Sequence, residues 1–144
     1  MTTNEFQAST KRTSCDYLRA RSRMMGRTIE QVDTTEPDLT AVEVNHLCIG
    51  IGAEAGELLS EIQRWIYYGQ PLNEVNLKEE LGDLMWYVSQ LCNRMGWSLS
   101  SVIAANISKL KARYPEKFTE ELAKEENRDR VREAEMIRTT DSGK

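Results

Sequence analysis

The stretch from Leu39 to Tyr68 constrains this chain most. It runs for thirty residues without a proline and sets Leu47, Ile51, Leu58, Ile62 and Trp65 on one face, at roughly 100° per residue. A segment of that length and period is a helix, and a helix with one apolar stripe must bury it against other elements. Pro37 stands just ahead of it as a start signal. The rest of the chain repeats the device. A first helix is expected from Asn4 to Met25, with Phe6, Tyr17, Leu18, Met24 and Met25 as a broken stripe, followed by a polar connection to Asp38. Gly69, Pro71 and Asn73 mark a turn. Asn76 with Glu79 resembles a capping box and opens a third helix to Met95, whose apolar face is Leu77, Leu84, Val88, Leu91 and Met95; Gly96 ends it. Ser98 caps a fourth helix, Leu99 to Tyr114, stopped by Pro115. After Phe118 the residues are mostly charged and read as a solvated helix to about Ile137 and then a frayed tail. The expected fold class is all-α: a four-helix bundle with an additional charged C-terminal helix or tail. It forms one domain over residues 1–144, with its core at about 39–129.

Composition narrows the function. A net charge of −4 offers no basic field for nucleic acid. Cys15, Cys48 and Cys92 are scattered, with no C-x-x-C pair, so neither a zinc knuckle nor a disulfide framework is indicated and a cytoplasmic compartment is expected. Residues 1–12 are polar and lack an apolar signal core, and no run approaches the roughly 20 apolar residues of a membrane span. Small helical chains of this kind also pair with copies of themselves to complete a core or a site.

The chemistry lies in charged rows beside the apolar stripes. Glu54, Glu57 and Glu61 fall at i, i+3 and i+7, within an arc of roughly 60°. His46, Gly50 and Tyr68 share that edge. Glu80 and Asp83 repeat the spacing on the third helix, next to Leu77, Leu84 and Val88. A short turn between the two helices brings Glu54, Glu57, Glu80 and Asp83 together, and carboxylates converging beside a core need a cation. Oxygen-only ligands favour Mg²⁺ or Mn²⁺ over zinc. On the fourth helix Asn106, Lys109 and Arg113 form a second row, within about 60°, suited to phosphate oxygens. Taken singly, an E-x-x-E pair is a solvated face, Lys109 and Arg113 are surface charges, and His46 is a structural histidine. The combination is what carries chemistry.

At these residues the chain resembles a known family. Glu54-Ala-Gly-Glu57-Leu and Glu80-Leu-Gly-Asp83, with 22 residues between Glu57 and Glu80, look like the E-x-x-E…E-x-x-D signature of MazG-like all-α nucleoside triphosphate pyrophosphohydrolases. Asn106-Ile-Ser-Lys109-Leu-Lys-Ala-Arg113-Tyr114-Pro115 resembles the family's phosphate-side helix, and Asn127-Arg128-Asp129 echoes a tail of several members. The resemblance spans roughly His46 to Asp129. It implies a bundle that assembles as homodimers or homotetramers, related to dimeric dUTPases and dCTP pyrophosphatases. It further implies that Glu54, Glu57, Glu80 and Asp83 bind metal, and that Asn106, Lys109, Arg113 and Tyr114 hold phosphates or sugar.

The expected reaction is Mg²⁺-dependent attack of water on the α-phosphorus of an NTP or dNTP, releasing pyrophosphate, with Mn²⁺ as a substitute ion. Glu54 or Glu61 serves as the base, and Lys109 and Arg113 stabilise phosphate charge. His46 faces the base or packs beside it. Gly50 and Gly52 either admit the nucleotide or let helices approach. Short phage-like members favour guanine nucleotides, so the resemblance leans to GTP or dGTP, with dUTP and dCTP as competitors. Two readings of other classes stand beside it. Glu43-x-x-His46 supplies one E-x-x-H pair of a di-iron bundle, where two are usual. A non-catalytic bundle that retains a metal or nucleotide site is the other.

Overall fold

The computed structural model describes residues 1–14, 17–26, 28–31 and 38–141. Cys15 and Pro37, singled out above, lie outside the described residues. Every regular element among those described is helical. In order they are α1 (Thr3–Thr10), a 3₁₀ turn at Lys11–Thr13, α2 (Tyr17–Met25), a 3₁₀ turn at Ile29–Gln31, α3 (Asp38–Tyr68), α4 (Glu74–Met95), α5 (Leu99–Arg113), α6 (Glu120–Ala123), a 3₁₀ turn at Glu125–Asn127 and α7 (Arg130–Asp141). The all-α class is as the periodicity requires. The chain divides into two compact units, residues 1–96 and 97–144.

In the first unit α3 packs principally on α4, with α1 on α4 and α2 on α3. The single helix expected from Asn4 to Met25 is instead two. Ser9, Thr10 and Thr13 turn their hydroxyls back onto the carbonyls of Phe6, Gln7 and Thr10, and Ser14 is extended (φ −61°, ψ 144°). Hydroxyls that bond their own preceding turn compete with the helical ladder, which explains why the helix stops there. The broken apolar stripe was the visible symptom. α1 starts with a true capping box: Glu5 N–H donates to Thr2 Oγ1 at 3.2 Å, and Thr2 N–H donates to the Glu5 carboxylate at 2.6 Å.

A helix end leaves carbonyls unpaired, and α4 supplies the missing donors for α1. Asn93 Nδ2 donates to the Gln7 carbonyl at 3.1 Å, and the Gln90 amide donates to the Thr10 carbonyl. Trp86 Nε1 donates to Thr13 Oγ1 at 2.7 Å. This buried amide seam, with Ser89 fully enclosed beside Thr10, fixes α1 on α4. Leu47 and Cys92 form the most enclosed apolar part of the unit.

The expected capping box at Asn76 is one turn too late. The N-cap of α4 is Asn73, whose side chain accepts the Asn76 N–H at 3.1 Å. Asn76 is thereby left inside the first turn, free to use its side chain elsewhere. Gly96 closes α4 in the left-handed region (φ 70°), where a side chain would be strained.

In the second unit α5 packs on α7 around Leu99 and Ala105. α5 begins after Ser98, as expected, and ends one residue earlier than expected, with Tyr114 as its C-cap. The charged segment is not one solvated helix. Glu133 is buried and receives Arg128 in a fork, Nε at 3.1 Å and Nη2 at 2.5 Å, while Thr119 caps the short α6. The arginine beside Glu133 holds its carboxyl below the usual carboxylate range.

Candidate active site

The facing residues of α3 and α4 pair in order, descending α3 while climbing α4, so the two helices run antiparallel across the turn at residues 69–73. Glu61 meets Asn76, the Glu54–Glu57 turn meets Glu80, Gly50 meets Tyr87, and Glu43 meets Arg94. The i, i+3, i+7 spacing on α3 is what lines these partners along one edge.

Three of the expected acids converge. Glu54, Glu57 and Glu80 each offer a carboxylate oxygen within 4.8 Å of the other two. Glu80 is buried, Glu54 half-buried and Glu57 exposed. Burial raises the Glu54 and Glu80 carboxyls above the ordinary value, and like charge raises them further: Glu57 and Asp83 act on Glu54, and Glu57 and Glu54 act on Glu80. Asp83 stands outside the tight trio but close enough for its charge to reach Glu54. An all-carboxylate set that repels itself fits a hard divalent cation, which accepts oxygen donors and removes the repulsion.

Glu61 is placed differently. It is buried one turn further along α3, in an ion pair with Arg64, and accepts from Asn76 Nδ2 at 2.9 Å. The same nitrogen lies 3.1 Å from Glu80 Oε1. The sequence marks Asn76 only as a helix start and gives Arg64 no role, although the i, i+4 step from Asn76 to Glu80 and the i, i+3 step from Glu61 to Arg64 are there to be read.

Beyond the acids the edge turns aromatic. His46 lies edge-on between Tyr17 (centroids 5.8 Å apart) and Tyr87 (6.0 Å), and Trp86 meets Tyr87 at 4.9 Å. Gly50 admits the Tyr87 ring, which fills the place a Cβ would take, while a Cβ at Gly52 would meet nothing within 4 Å. Close packing is therefore the role of Gly50. Past Tyr87, Glu43 and Arg94 pair beside a cavity of about 330 Å³, also lined by Tyr17, Leu47, Gln90 and Asn93. Burial pushes the Glu43 carboxyl up, and Arg94 partly offsets it.

The remaining expected residues belong to the second unit. Asn106 is exposed beside an apolar cavity of about 270 Å³ with Trp97, Val102, Ala105 and Ile137. Lys109 is half-buried and has no ion pair among the described residues. Arg113 donates from Nη2 to the Ala123 carbonyl at 3.0 Å, lies 3.9 Å from Glu133 and sits 5.2 Å over the Tyr114 ring.

The segment that carries these acids matches a known family. The family model described as the MazG nucleotide pyrophosphohydrolase domain matches residues 44–118. The chain is 33% identical over 81 residues to the Gene 37 protein of Mycobacterium phage L5, a match spanning 53% of this chain and 71% of that protein. No solved structure matches. Among the described residues no helix is long and apolar enough to cross a membrane.

Proposed function

The chain belongs to the MazG nucleotide pyrophosphohydrolase family, and on that footing we propose that it hydrolyses a nucleoside triphosphate to the monophosphate and pyrophosphate with Mg²⁺, for which Mn²⁺ substitutes. The observation that carries this reading is the convergence of Glu54, Glu57 and Glu80 across the α3–α4 seam, inside the matched segment. Glu57, Glu80 and Asp83, together with Glu54, hold the cation. When bound there, the cation supplies Lewis acidity and a water of lowered pKa. Glu54 is the base, since its carboxylate is half-buried at the cluster whereas Glu61 is committed to Arg64 and Asn76. Lys109 and Arg113 neutralise phosphate charge, with Asn106 and Tyr114 on the phosphates or sugar. His46, in its tyrosine cluster, lies on the base side.

The substrate is a purine nucleotide, GTP or dGTP, ahead of dUTP and dCTP. The acting species is a homodimer or homotetramer in the cytoplasm, the host's if a phage encodes it, and it needs neither nucleic acid nor membrane. Exposed Leu59, Ile66 and Leu81 on α3 and α4 support self-association. The whole chain functions as a single domain. The test is a product assay over the eight common NTPs and dNTPs with Mg²⁺. Monophosphate plus pyrophosphate from guanine nucleotides is expected, and orthophosphate as the product would refute the reaction.

A further inference from the structure

We propose that Asn76 is a positioning residue of the carboxylate cluster, bridging Glu61 on α3 and Glu80 on α4 through one amide nitrogen. The proposal rests on the metal-binding reading above. Asn76 Nδ2 lies 2.9 Å from Glu61 Oε1 and 3.1 Å from Glu80 Oε1. A side-chain amide nitrogen carries two hydrogens, so each carboxylate receives its own bond from a group that adds no charge. Arg64 pairs with the same Glu61 oxygen, which anchors Glu61 and makes it a fixed post for the amide.

The consequence falls on Glu80. One of its oxygens is held by Asn76, which leaves the rest of its acceptor capacity for the trio with Glu54 and Glu57. Without the bridge the Glu80 carboxylate, repelled by Glu54 and Glu57, is free to rotate away from them. Because Asn73 caps α4, the Asn76 side chain is not needed for the helix start. The start of α4 therefore does not depend on it.

The experiment is a titration of the nucleotide-free protein with Mn²⁺, following free ion by electron paramagnetic resonance, for wild type, Asn76→Leu and Asn76→Gln. Leu is close to Asn in size and donates nothing, whereas Gln keeps the amide on a longer stem. Outer-shell partners of metal ligands are worth roughly 10–100-fold in affinity. Asn76→Leu is expected to weaken Mn²⁺ binding about tenfold or more, in a protein that still folds but melts lower because Glu61 and Glu80 lose a donor, with partial recovery of binding in Asn76→Gln. If Asn76→Leu does not fold, Asn76→Ala carries the same comparison. A folded variant lacking the amide that binds Mn²⁺ within twofold of wild type overturns the positioning role alone. A wild type that takes up no Mn²⁺ overturns both this role and the metal reading beneath it.

Discussion

The Tyr87 ring lies against Gly50 across the α3–α4 seam, in the space a side chain at residue 50 would need. Overpacking a seam of this kind costs about 1–3 kcal/mol, set against a helix-propensity gain of up to about 1 kcal/mol for replacing a mid-helix glycine. Gly50→Ala should therefore lower the melting temperature. Gly52→Ala, two residues on in the same helix with open space at its Cβ, should leave it unchanged or raise it. Thermal denaturation of the two variants side by side checks the sign of each.

Glu57 is the exposed member of the trio, and its charge raises both Glu54 and Glu80. Glu57→Gln relieves that repulsion while removing a proposed ligand. The metal-free protein should melt at or above the wild-type temperature, and turnover should be lost. Asp83→Asn should likewise lose turnover and keep its fold. Wild-type activity in either folded variant contradicts the ligand assignment.

The raised carboxyls give the cluster a definite pH signature. A carboxyl whose folded pKa lies above its ordinary value near 4.5 stabilises the fold fully below that value and loses the contribution as pH rises through the folded pKa. Glu54 and Glu80 thus destabilise the metal-free first unit at neutral pH, where the proposed divalent cation should restore stability. At an ion concentration of about 100 times Kd the gain is about 2.7 kcal/mol, or roughly 5–10 °C in a chain of this size. The Mg²⁺ or Mn²⁺ shift should be largest near neutral pH and vanish as pH falls toward 4.5 and the carboxyls take up protons. Glu133 in the second unit runs the opposite way. Its pKa is depressed, so its stabilisation is present above 4.5 and lost as pH falls through the folded value. Calorimetry against pH, with and without ion, separates the two trends.

The two cations of α5 should behave differently. Arg113 is tied to the Ala123 carbonyl and stands near Glu133, whereas Lys109 has no ion pair among the described residues. Lys109→Ala should raise KM about tenfold, the loss of one charge-assisted hydrogen bond, with stability intact. Arg113→Ala should lower both stability and activity. Equal melting temperatures for the two variants would contradict the anchoring of Arg113.

Helical periodicity sufficed for α3, α4 and α5 because each carries an apolar pattern at helical spacing, and Gly96 and Pro115 punctuate them chemically, although Trp65, Met95, Ile103 and Ile107 of those stripes are exposed. The carboxylate rows were readable for the same reason: a spacing of three or four residues is itself a statement about a helix face. Local hydroxyl bonding at Thr10 and Thr13 escaped that reading, because it breaks a helix without any glycine or proline to announce it. Asn76 was legible only as a helix-start residue. Its actual partner Glu61 lies 15 residues away, and the pairing depends on the register of α3 against α4, which no single-helix pattern contains. The same register sets Tyr87 on Gly50 and Arg94 on Glu43.

The central claim is hydrolysis at the α-phosphorus, directed by the Glu54, Glu57 and Glu80 cluster. Turnover of GTP or dGTP in ¹⁸O-labelled water with Mg²⁺, followed by mass analysis of both products, tests it most directly. One labelled oxygen in the monophosphate and none in the pyrophosphate is expected, with the signal lost in Glu57→Gln. Label in the pyrophosphate, or release of orthophosphate, would contradict it.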